Sequence, residues 1–317
     1  MACRGQRVAV VGHRRPDGDC IGSQVAMVRV LRALGVEAFA VNESVIPRRV
    51  NFLAEGIPFY HGSAWNFTGE KVILVDCSDA DRVGPEMAKA LPRPQANIDH
   101  HLSNKGFAEW DLVDSKASAS AQIIAGLLID CDLPMDPLTA QALWAGIVTD
   151  TGNFSYPSTT SEVLQMGAYL VKLGASPSLV AAQIYERENL SRMKLLKVYL
   201  DRLLLLAKDR AAIAWLEEKD FEKTGASYED TEGLVNYGRS LEGVAISAFI
   251  ERHDGEIKGS LRSSGEQYRM DLLAQRFGGG GHACAAGFTW QGSWEEFLSI
   301  FEEEIEKIFE PSESEAP

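Results

Sequence analysis

Three short apolar runs in the first third of the chain each end in a histidine or an aspartate. Runs of this length predict buried strands, and the stretches that separate them carry helical patterns. Strands that alternate with helices predict an α/β fold with a mainly parallel sheet. The carboxyl ends of parallel strands lie at one edge of a sheet, so we expect the polar residues to meet there. The runs and their polar ends are Val8–Val11 with His13, Lys71–Val75 with Asp76, and Gln95–Ile98 with Asp99, His100 and His101.

A long helical pattern from Ser191 to Lys208 divides the chain, and the strand patterns that follow it indicate a different fold class. Two of these strands, 244–251 and 257–263, flank an Asp254-Gly255 hairpin signal. With 317 residues the chain is long enough for two domains. We predict an N-terminal α/β domain at 1–187 with helices flanking its sheet, a helical linker at 188–209, a smaller α+β domain at 210–310 and a disordered acidic tail at 311–317.

The net charge and the cysteine spacing of the chain argue against several classes of function. The formal net charge is −14, whereas proteins that grip long duplexes usually carry a basic surface. A small phosphorylated substrate is therefore favoured over a broad nucleic-acid footprint. The five cysteines are scattered and contain no C-x-x-C pair, which argues against a disulfide framework or a thiolate zinc site. Because no apolar run approaches a bilayer span and no signal-peptide pattern is present, we expect a cytoplasmic protein without a membrane partner.

Four clusters of aspartate and histidine carry the chemistry that the sequence predicts. Taken singly, each has an ordinary interpretation as a turn, a helix cap or a surface histidine. Together, at strand or helix ends, they predict a metal site, and oxygen ligands with a minority of imidazoles favour Mn²⁺ or Mg²⁺. So many ligands suit two ions, which can stabilise both the attacking and the leaving oxygen of phosphoryl transfer. The clusters are His13-x-x-x-Asp17-x-Asp19, Asp76, Asp99-His100-His101 and Asp150.

A glycine run, Gly278–Gly281, stands before His282 in the second half of the chain. Alone, such a run most often indicates a flexible linker. Here it lies between a predicted helix and an Ala-Ala stretch that reads as the start of another helix, where free backbone amides would make an anion site. Arg262, on the preceding strand pattern, is either a plain surface arginine or a bidentate phosphate clamp.

Taken together, these motifs resemble those of the DHH/DHHA1 phosphoesterases, and in particular the short bacterial nano-RNase and pAp-phosphatase (NrnA-type) branch. The resemblance covers nearly the whole chain, and the motifs are jointly specific. Cys284, which follows His282, is a minor variation. The matching motifs are His13-x-x-x-Asp17-x-Asp19-x-x-Gly22-Ser23, Val75-Asp76, Asp99-His100-His101, Asp150-Thr-Gly-x-Phe154, Glu232-Gly-Leu-Val-Asn-Tyr-Gly-Arg239 and Gly278-Gly-Gly-Gly-His282-x-x-Ala-Ala-Gly287.

The resemblance implies a role for each site residue and two bound ions, expected as Mn²⁺ with Mg²⁺ as the alternative. One ion would be held by His13 and Asp17. The catalytic pair would be His101, facing the phosphate, and Asp99, orienting its neighbours. The second ion would be held by Asp19, His100 and Asp150, with Asp76 bridging the two ions. Substrate would be bound in the second domain by Arg262, Ser264, Gly280, Gly281 and His282.

The implied activity is hydrolysis of short oligonucleotides to nucleoside 5′-monophosphates, of 3′-phosphoadenosine 5′-phosphate (pAp) to AMP, or of both. Alternatives are a cyclic or linear dinucleotide phosphodiesterase, a RecJ-like single-strand DNA exonuclease and a nucleotide sensor without turnover. The RecJ type normally carries an oligonucleotide-binding domain, for which this chain has no residues left, and the complete ligand set argues against a sensor. The expected partners are short oligonucleotides, linear dinucleotides or pAp as substrate, with a homodimer as one option for assembly.

Overall fold

The computed structural model describes residues 5–62, 65–253 and 255–310, except for the side chain of His282. Cys3, Asp254 of the predicted hairpin turn and the predicted tail at 311–317 lie outside the described residues. The chain divides after Arg187 into two compact units. Within the described ranges, no helix is both long enough and apolar enough to span a bilayer.

The first unit is built on a six-stranded sheet whose strands are all parallel. Three of these strands, Arg7–Val11, Lys71–Val75 and Ala96–Asp99, correspond to the predicted apolar runs, whereas the short outer strands Phe59–His61 and Trp110–Val113 were not predicted. Every residue of Trp110–Val113 is exposed. The strand order is β3-β2-β1-β4-β5-β6, so the three strands with polar ends are neighbours. The strands are β1 Arg7–Val11, β2 Glu37–Asn42, β3 Phe59–His61, β4 Lys71–Val75, β5 Ala96–Asp99 and β6 Trp110–Val113.

Helices cover both faces of this sheet, because alternate residues of each inner strand point to opposite sides. Val8 and Val10 of β1 pack against the helices α1, α3 and α4, whereas Ala9 and Val11 join a cluster that contains Met87 of α2. The helices are α1 Gly18–Ala33, α2 Pro85–Ala90, α3 Ser120–Asp130, α4 Pro137–Asp150, α5 Ser161–Lys172 and α6 Pro177–Ile184.

Glycines allow α1 and α4 to approach closely. A Cβ on Gly22 of α1 would lie 2.3 Å from the carbonyl oxygen of Ala142 in α4. A Cβ on Gly146 of α4 would lie 2.8 Å from Oδ1 of Asp19. Both distances are shorter than real Cβ contacts, so any side chain at either position would force the helices apart.

The second unit has a mixed six-stranded sheet of order β11-β12-β10-β9-β8-β7, in which only the β8–β9 pair is parallel. The helices α10 and α11 pack on one face of the sheet, and α7, α8 and α9 pack on the other. The α+β prediction for this half is therefore confirmed. The elements are α7 Leu190–Asp201, β7 Leu204–Leu206, β8 Ala211–Glu217, α8 Glu218–Thr224, α9 Val235–Arg239, β9 Ile246–His253, β10 Glu256–Ser263, α10 Met270–Arg276, β11 Gly280–His282, β12 Ala285–Gln291 and α11 Trp294–Phe309.

Two helical predictions were wrong in detail. The helix predicted to reach Lys208 ends at Asp201, because its leucine-rich end pairs with β8 as strand β7. The Ala-Ala stretch after His282 begins strand β12 rather than a helix. There, Ala286 and Phe288 alternate toward the core, and the hydrophobic period of two favours a strand over local helix propensity.

Candidate metal centre

The polar residues of the first unit meet where β1, β4 and β5 end. Neighbouring parallel strands lie about 4.8 Å apart, so residues just beyond their carboxyl ends share one edge of the sheet. His13 follows β1, Asp76 follows β4, and Asp99 is the last residue of β5. The fourth predicted cluster arrives from a helix, since Asp150 is the last residue of α4.

Asp76 stands at the centre of this group and is almost fully buried. Its φ of +58° places it in the left-handed region, which aspartate tolerates better than most residues and which often marks functional positions. Its Oδ2 lies 3.3 Å from Nε2 of His13, and its Oδ1 lies 3.5 Å from Nε2 of His100. The Ser120 hydroxyl donates a hydrogen bond to Oδ1 at 3.0 Å. One carboxylate therefore faces histidines from two different strand ends.

Asp19 is held by the N-terminus of α3. The backbone N–H groups of Ser120 and Ala121 donate to its two carboxylate oxygens at 2.6 and 2.8 Å. These are N–H groups without partners inside the helix, and the residue before them, Ala119, provides no side-chain cap. A carboxylate from α1 therefore satisfies the first turn of α3 and fixes the place of Asp19 in the site.

His100 connects the second part of the cluster. Its Nε2 lies 3.2 Å from Oδ2 of Asp150, and ligand atoms of His100, Asp150 and Asp19 lie within 4.8 Å of one another. The structure thus brings Asp19 and Asp150, which are far apart in sequence, to one histidine. The close approach of α1 and α4 at Gly22 and Gly146 makes this convergence possible.

Asp17 is the more peripheral of the predicted ligands, and its side chain is half exposed. Its Oδ1 accepts a hydrogen bond from the backbone N–H of Cys20 at 3.0 Å and so caps α1. The same oxygen lies 3.7 Å from Nε2 of His13. Asp17 thus combines the role of a helix N-cap with a position beside the site.

Asp99 is fully buried and both of its oxygens are engaged. Its Oδ1 lies 2.7 Å from Nδ1 of His101, and Asn104 donates to its Oδ2 at 2.7 Å. Burial alone would raise the pKa of Asp99, but the hydrogen bonds with His101 and Asn104 lower it below its ordinary value. The carboxylate is therefore charged and orients the His101 ring.

The remaining carboxylates repel one another. Burial, together with the charges of Asp76 and Asp150, raises the pKa of Asp19 well above its ordinary value. Burial also raises the pKa of Asp150 to about 6, against the lowering effect of its hydrogen bond with His100. Without a cation, this centre therefore retains protons on groups that would otherwise be charged.

The pKa values of two histidines are raised as well, because neighbouring groups stabilise the charged imidazolium ring. Burial would lower the pKa of His100, but the hydrogen bond with Asp150 and the charge of Asp19 raise it to about 10. Burial would also lower the pKa of His13, yet Cys20, Asp17 and Asp76 raise it. A divalent cation would replace these protons and relieve the repulsion between the carboxylates.

The donor set fits hard divalent cations. Three groups of side chains place their ligand atoms within 4.8 Å of one another, and Asp76 belongs to two of them. Carboxylate oxygens with imidazole nitrogens are the ligands expected for Mn²⁺ or Mg²⁺, although one group also includes a cysteine. The groups are His13 with Cys20 and Asp76, Asp76 with His100 and His101, and Asp19 with His100 and Asp150.

The predicted substrate-binding residues lie in the second unit, on or beside strands β10 and β11, which are separated by β12 in the sheet. Arg262 is on β10, paired in register with Ala285 of β12, and Ser264 follows β10 and is exposed. Gly280 and Gly281 are on β11 and pair with β12. The idea of an anion site at a helix start is therefore wrong, because the glycines form a strand. The side chain of His282 lies outside the described residues.

Close packing explains part of the glycine run. A Cβ on Gly279 would lie 2.1 Å from the carbonyl oxygen of Gly287, and one on Gly281 would lie 2.6 Å from that of Ala285. A Cβ on Gly280 would meet nothing within 4 Å. Glycine is thus required at positions 279 and 281, where the backbone contacts strand β12, whereas position 280 has room for a side chain.

Sequence reasoning missed three side chains of the metal centre. Ser120 donates to Asp76, Asn104 donates to Asp99, and Cys20 lies beside His13 and Asp76. Only Cys20 carried a signal, since it directly follows Asp19 within the first motif. The other two come from loop and helix positions whose spatial neighbours no local pattern specifies.

Comparison with known proteins agrees with this layout. The DHH family N-terminal domain matches residues 7–147, and the DHHA1 domain matches residues 208–307. The bifunctional oligoribonuclease and PAP phosphatase NrnA of Thermus thermophilus is 30% identical over 303 residues, which are 94% of this chain and 90% of that protein. The protein of the same name from Bacillus subtilis is 26% identical over 90% of this chain and 89% of its own length.

Among solved structures, an exopolyphosphatase-related protein from Bacteroides fragilis superposes with a TM-score of 0.87. The superposition covers 95% of this chain and 92% of the other, at 24% sequence identity, and therefore supports the fold alone. The two matched domains and the Thermus relative show family membership as well as the fold. The chain belongs to the DHH/DHHA1 family of phosphoesterases.

Proposed function

We propose that this protein is a two-metal phosphoesterase that hydrolyses short oligonucleotides to nucleoside 5′-monophosphates and pAp to AMP. The observation that carries the proposal is the position of Asp76 between His13 and His100, at 3.3 and 3.5 Å. A carboxylate with one oxygen toward each histidine suits a bridge between two cations. The names of the Thermus and Bacillus relatives, each an oligoribonuclease and PAP phosphatase, support both substrates.

We propose that two Mn²⁺ ions are the cofactor, with Mg²⁺ as a substitute. One position is assigned to His13, Asp17 and Asp76, and the other to Asp19, Asp76, His100 and Asp150. When bound, the ions would activate water and neutralise charge on the phosphate. The Ser120 hydroxyl and the α3 N-terminus hold Asp76 and Asp19 in place, so the ligands are oriented before any ion arrives.

His101 would act on the phosphate that reacts, and Asp99 would orient the His101 ring. The Nδ1 of His101 lies 2.7 Å from Oδ1 of Asp99, which sets the ring orientation. A ring held in this way can present its Nε2 to a phosphate oxygen or to the leaving 3′-oxygen and protonate it. Because both oxygens of Asp99 are engaged, Asp99 itself acts as a positioning group.

The second unit would recognise the substrate through Arg262, Ser264, Gly280, Gly281 and His282. Side chains along β10 alternate, so that Lys258, Ser260 and Arg262 share the face opposite the buried Ile257 and Leu261. Lys258 is paired with Glu251 at 3.0 Å, whereas Arg262 donates to the carbonyl oxygen of Leu261. The Arg262 guanidinium, which is not fully buried, suits a phosphate group of a small substrate.

One substrate panel tests the proposal against its alternatives. Purified protein is incubated at matched concentration with pAp, a linear diribonucleotide, a cyclic dinucleotide, a short DNA and a long single-stranded DNA. Each reaction contains Mn²⁺, Mg²⁺ or a chelator. We expect turnover of pAp and the diribonucleotide with Mn²⁺ and none with the chelator. Preference for the cyclic dinucleotide or the long DNA would replace the proposal, and no turnover with either metal would favour the sensor.

A homodimer is proposed from the outer edge of the first sheet. The strand β6 is an unpaired edge whose Trp110 is 73% exposed, and Leu112 on the same strand is also exposed. Exposed apolar edges of this kind are usually covered by a partner. Light scattering measures the molar mass of the wild type and of Trp110→Lys in solution. We expect a dimer for the wild type and a monomer for the variant, and a wild-type monomer at micromolar concentration would contradict the proposed homodimer. The cytoplasmic location stays a prediction.

A further inference from the structure

Cys20 lies inside the metal centre, although no role was predicted for it. It sits in the first turn of α1, directly after Asp19, and is completely buried. Its Sγ, a ring nitrogen of His13 and a carboxylate oxygen of Asp76 lie within 4.8 Å of one another. That spacing allows one cation to contact all three atoms.

We propose that Cys20 is an additional donor to the metal position formed by His13 and Asp76, and that it gives this position affinity for thiophilic divalent cations such as Co²⁺ and Zn²⁺. The inference rests on the proposed two-metal function and adds a ligand to it. Thiolate is a soft ligand, whereas carboxylate and water suit Mg²⁺ and Mn²⁺. Coordination would replace the thiol proton, which leaves to solvent.

The backbone around Cys20 holds its sulfur toward His13. Gly12, which precedes His13, passes so close that a Cβ on it would lie 2.3 Å from Sγ. The Gln24 side chain lies behind the thiol, with Oε1 3.8 Å from Sγ, and its own Nε2 is held by the carbonyl oxygen of Val10 and by Asn42 at 2.9 and 2.7 Å. The thiol is therefore positioned by groups that carry no charge.

The two metal positions would consequently differ in chemistry. The group of Asp19, His100 and Asp150 contains only oxygen and nitrogen ligand atoms. The group of His13 and Asp76 includes sulfur. A thiophilic ion should therefore prefer the position formed by His13, Cys20 and Asp76, whereas a hard ion should bind at either position.

Cobalt absorption spectroscopy tests this inference without measuring activity. The full chain is stripped with a chelator and titrated with Co²⁺, and its spectrum is recorded in the visible and near-ultraviolet. Sulfur coordination adds a charge-transfer band to the weaker d–d bands that any cobalt site shows. The variants are Cys20→Ser and Cys20→Ala. The controls are Cys77→Ser, a buried cysteine next to Asp76, and the exposed Cys131→Ser.

We expect the charge-transfer band in the wild type and in both controls, and its loss in both Cys20 variants with the d–d bands retained. Bands of d–d type without charge transfer in the wild type would overturn the inference while leaving the metal centre intact. Absence of all cobalt absorption would overturn the proposed metal-dependent function as well. Should the Cys20 variants not fold, zinc X-ray absorption of the wild type decides, since a thiolate ligand gives a sulfur shell at about 2.3 Å and its absence overturns the inference.

Discussion

The two units of this protein place polar chemistry in opposite settings. In the first, carboxylates and imidazoles are buried against one another at the ends of β1, β4 and β5; the pKa values of Asp19, Asp150 and His100 are raised and that of Asp99 is lowered. In the second, Arg262 is half-buried on β10, and the glycine strand β11 lies two strands away in a sheet whose buried residues are mostly apolar but include Ser247, Glu251 and Ser263. Buried groups that perturb one another's pKa values are typical of reaction centres, whereas a guanidinium that is not fully buried is typical of phosphate recognition. This difference supports the proposal that the first unit carries the chemistry and the second binds the substrate.

The sharpest test of this division is Asp76→Ala. Removing the carboxylate that faces both His13 and His100 should lower kcat on both pAp and a diribonucleotide by about 1000-fold, since roughly 4 kcal/mol of charge stabilisation is lost. The exposed Asp130→Ala is the matched control and should keep full activity. Both variants should give wild-type circular dichroism. Retained turnover of either substrate by Asp76→Ala would contradict a shared site.

The recognition half of the comparison is tested by Arg262→Ala. Loss of a charged hydrogen bond to phosphate is worth about 2 kcal/mol, so KM should rise about 30-fold while kcat changes little. Arg262→Lys keeps the charge but loses the bidentate geometry, so its KM should lie between those of the wild type and Arg262→Ala. Arg269→Ala removes an exposed arginine of the same unit that is paired with Asp271, and should leave KM unchanged. An equal loss of kcat would place Arg262 in the chemistry instead.

The glycine strand separates packing from recognition. Gly279→Ala would put a Cβ 2.1 Å from a carbonyl oxygen, and should lower the free energy of unfolding by about 1–3 kcal/mol. Gly280→Ala meets open space and should leave stability unchanged but raise KM if substrate approaches that backbone. Urea unfolding and steady-state kinetics on the pair measure both effects. If Gly280→Ala has wild-type KM, Gly280 is not a contact of the substrate.

The smallest expected effect lies at the end of α4 far from the chemistry. Asp136 caps α4 through Thr139, and its ion pair with Arg29 holds its pKa well below the ordinary value of 3.8. A lowered pKa means that the stabilisation is present at neutral pH and is lost as the pH falls below that ordinary value. Asp136→Ala should lower the free energy of unfolding by about 1 kcal/mol at pH 7, with unchanged kcat.

Asp136→Asn is the matched control for this last change, because asparagine caps helices about as well as aspartate but carries no charge for Arg29. It should retain most of the stability of the wild type in urea unfolding at pH 7. Since nearly half of the Asp136 side chain is exposed, the charge pair itself contributes little. A loss in Asp136→Asn equal to that in Asp136→Ala would mean that the pair, and not the cap, stabilises α4.

The sequence by itself determined the parallel sheet of the first unit and the polar strand ends. The reason is local, because short runs rich in β-branched apolar residues such as Val72–Val75 predict buried strands, and residues that follow parallel strands share an edge. Only the tertiary structure decided which side chains from distant segments complete the centre. Ser120, Asn104 and Cys20 lie there because α3, a loop and the first turn of α1 pack around Asp76 and Asp99.

The glycine run, Gly278–Gly281, is an element whose secondary structure the local sequence did not specify. Its composition was interpreted as a linker or as the approach to a helix start, since glycine has no side chain that favours one element. Pairing of Gly280 and Gly281 with β12, and the burial of Ala286 and Phe288 against α10 and α11, selected the strand. Local pattern specifies an element when its own side chains can be buried only one way, and long-range packing decides when they cannot.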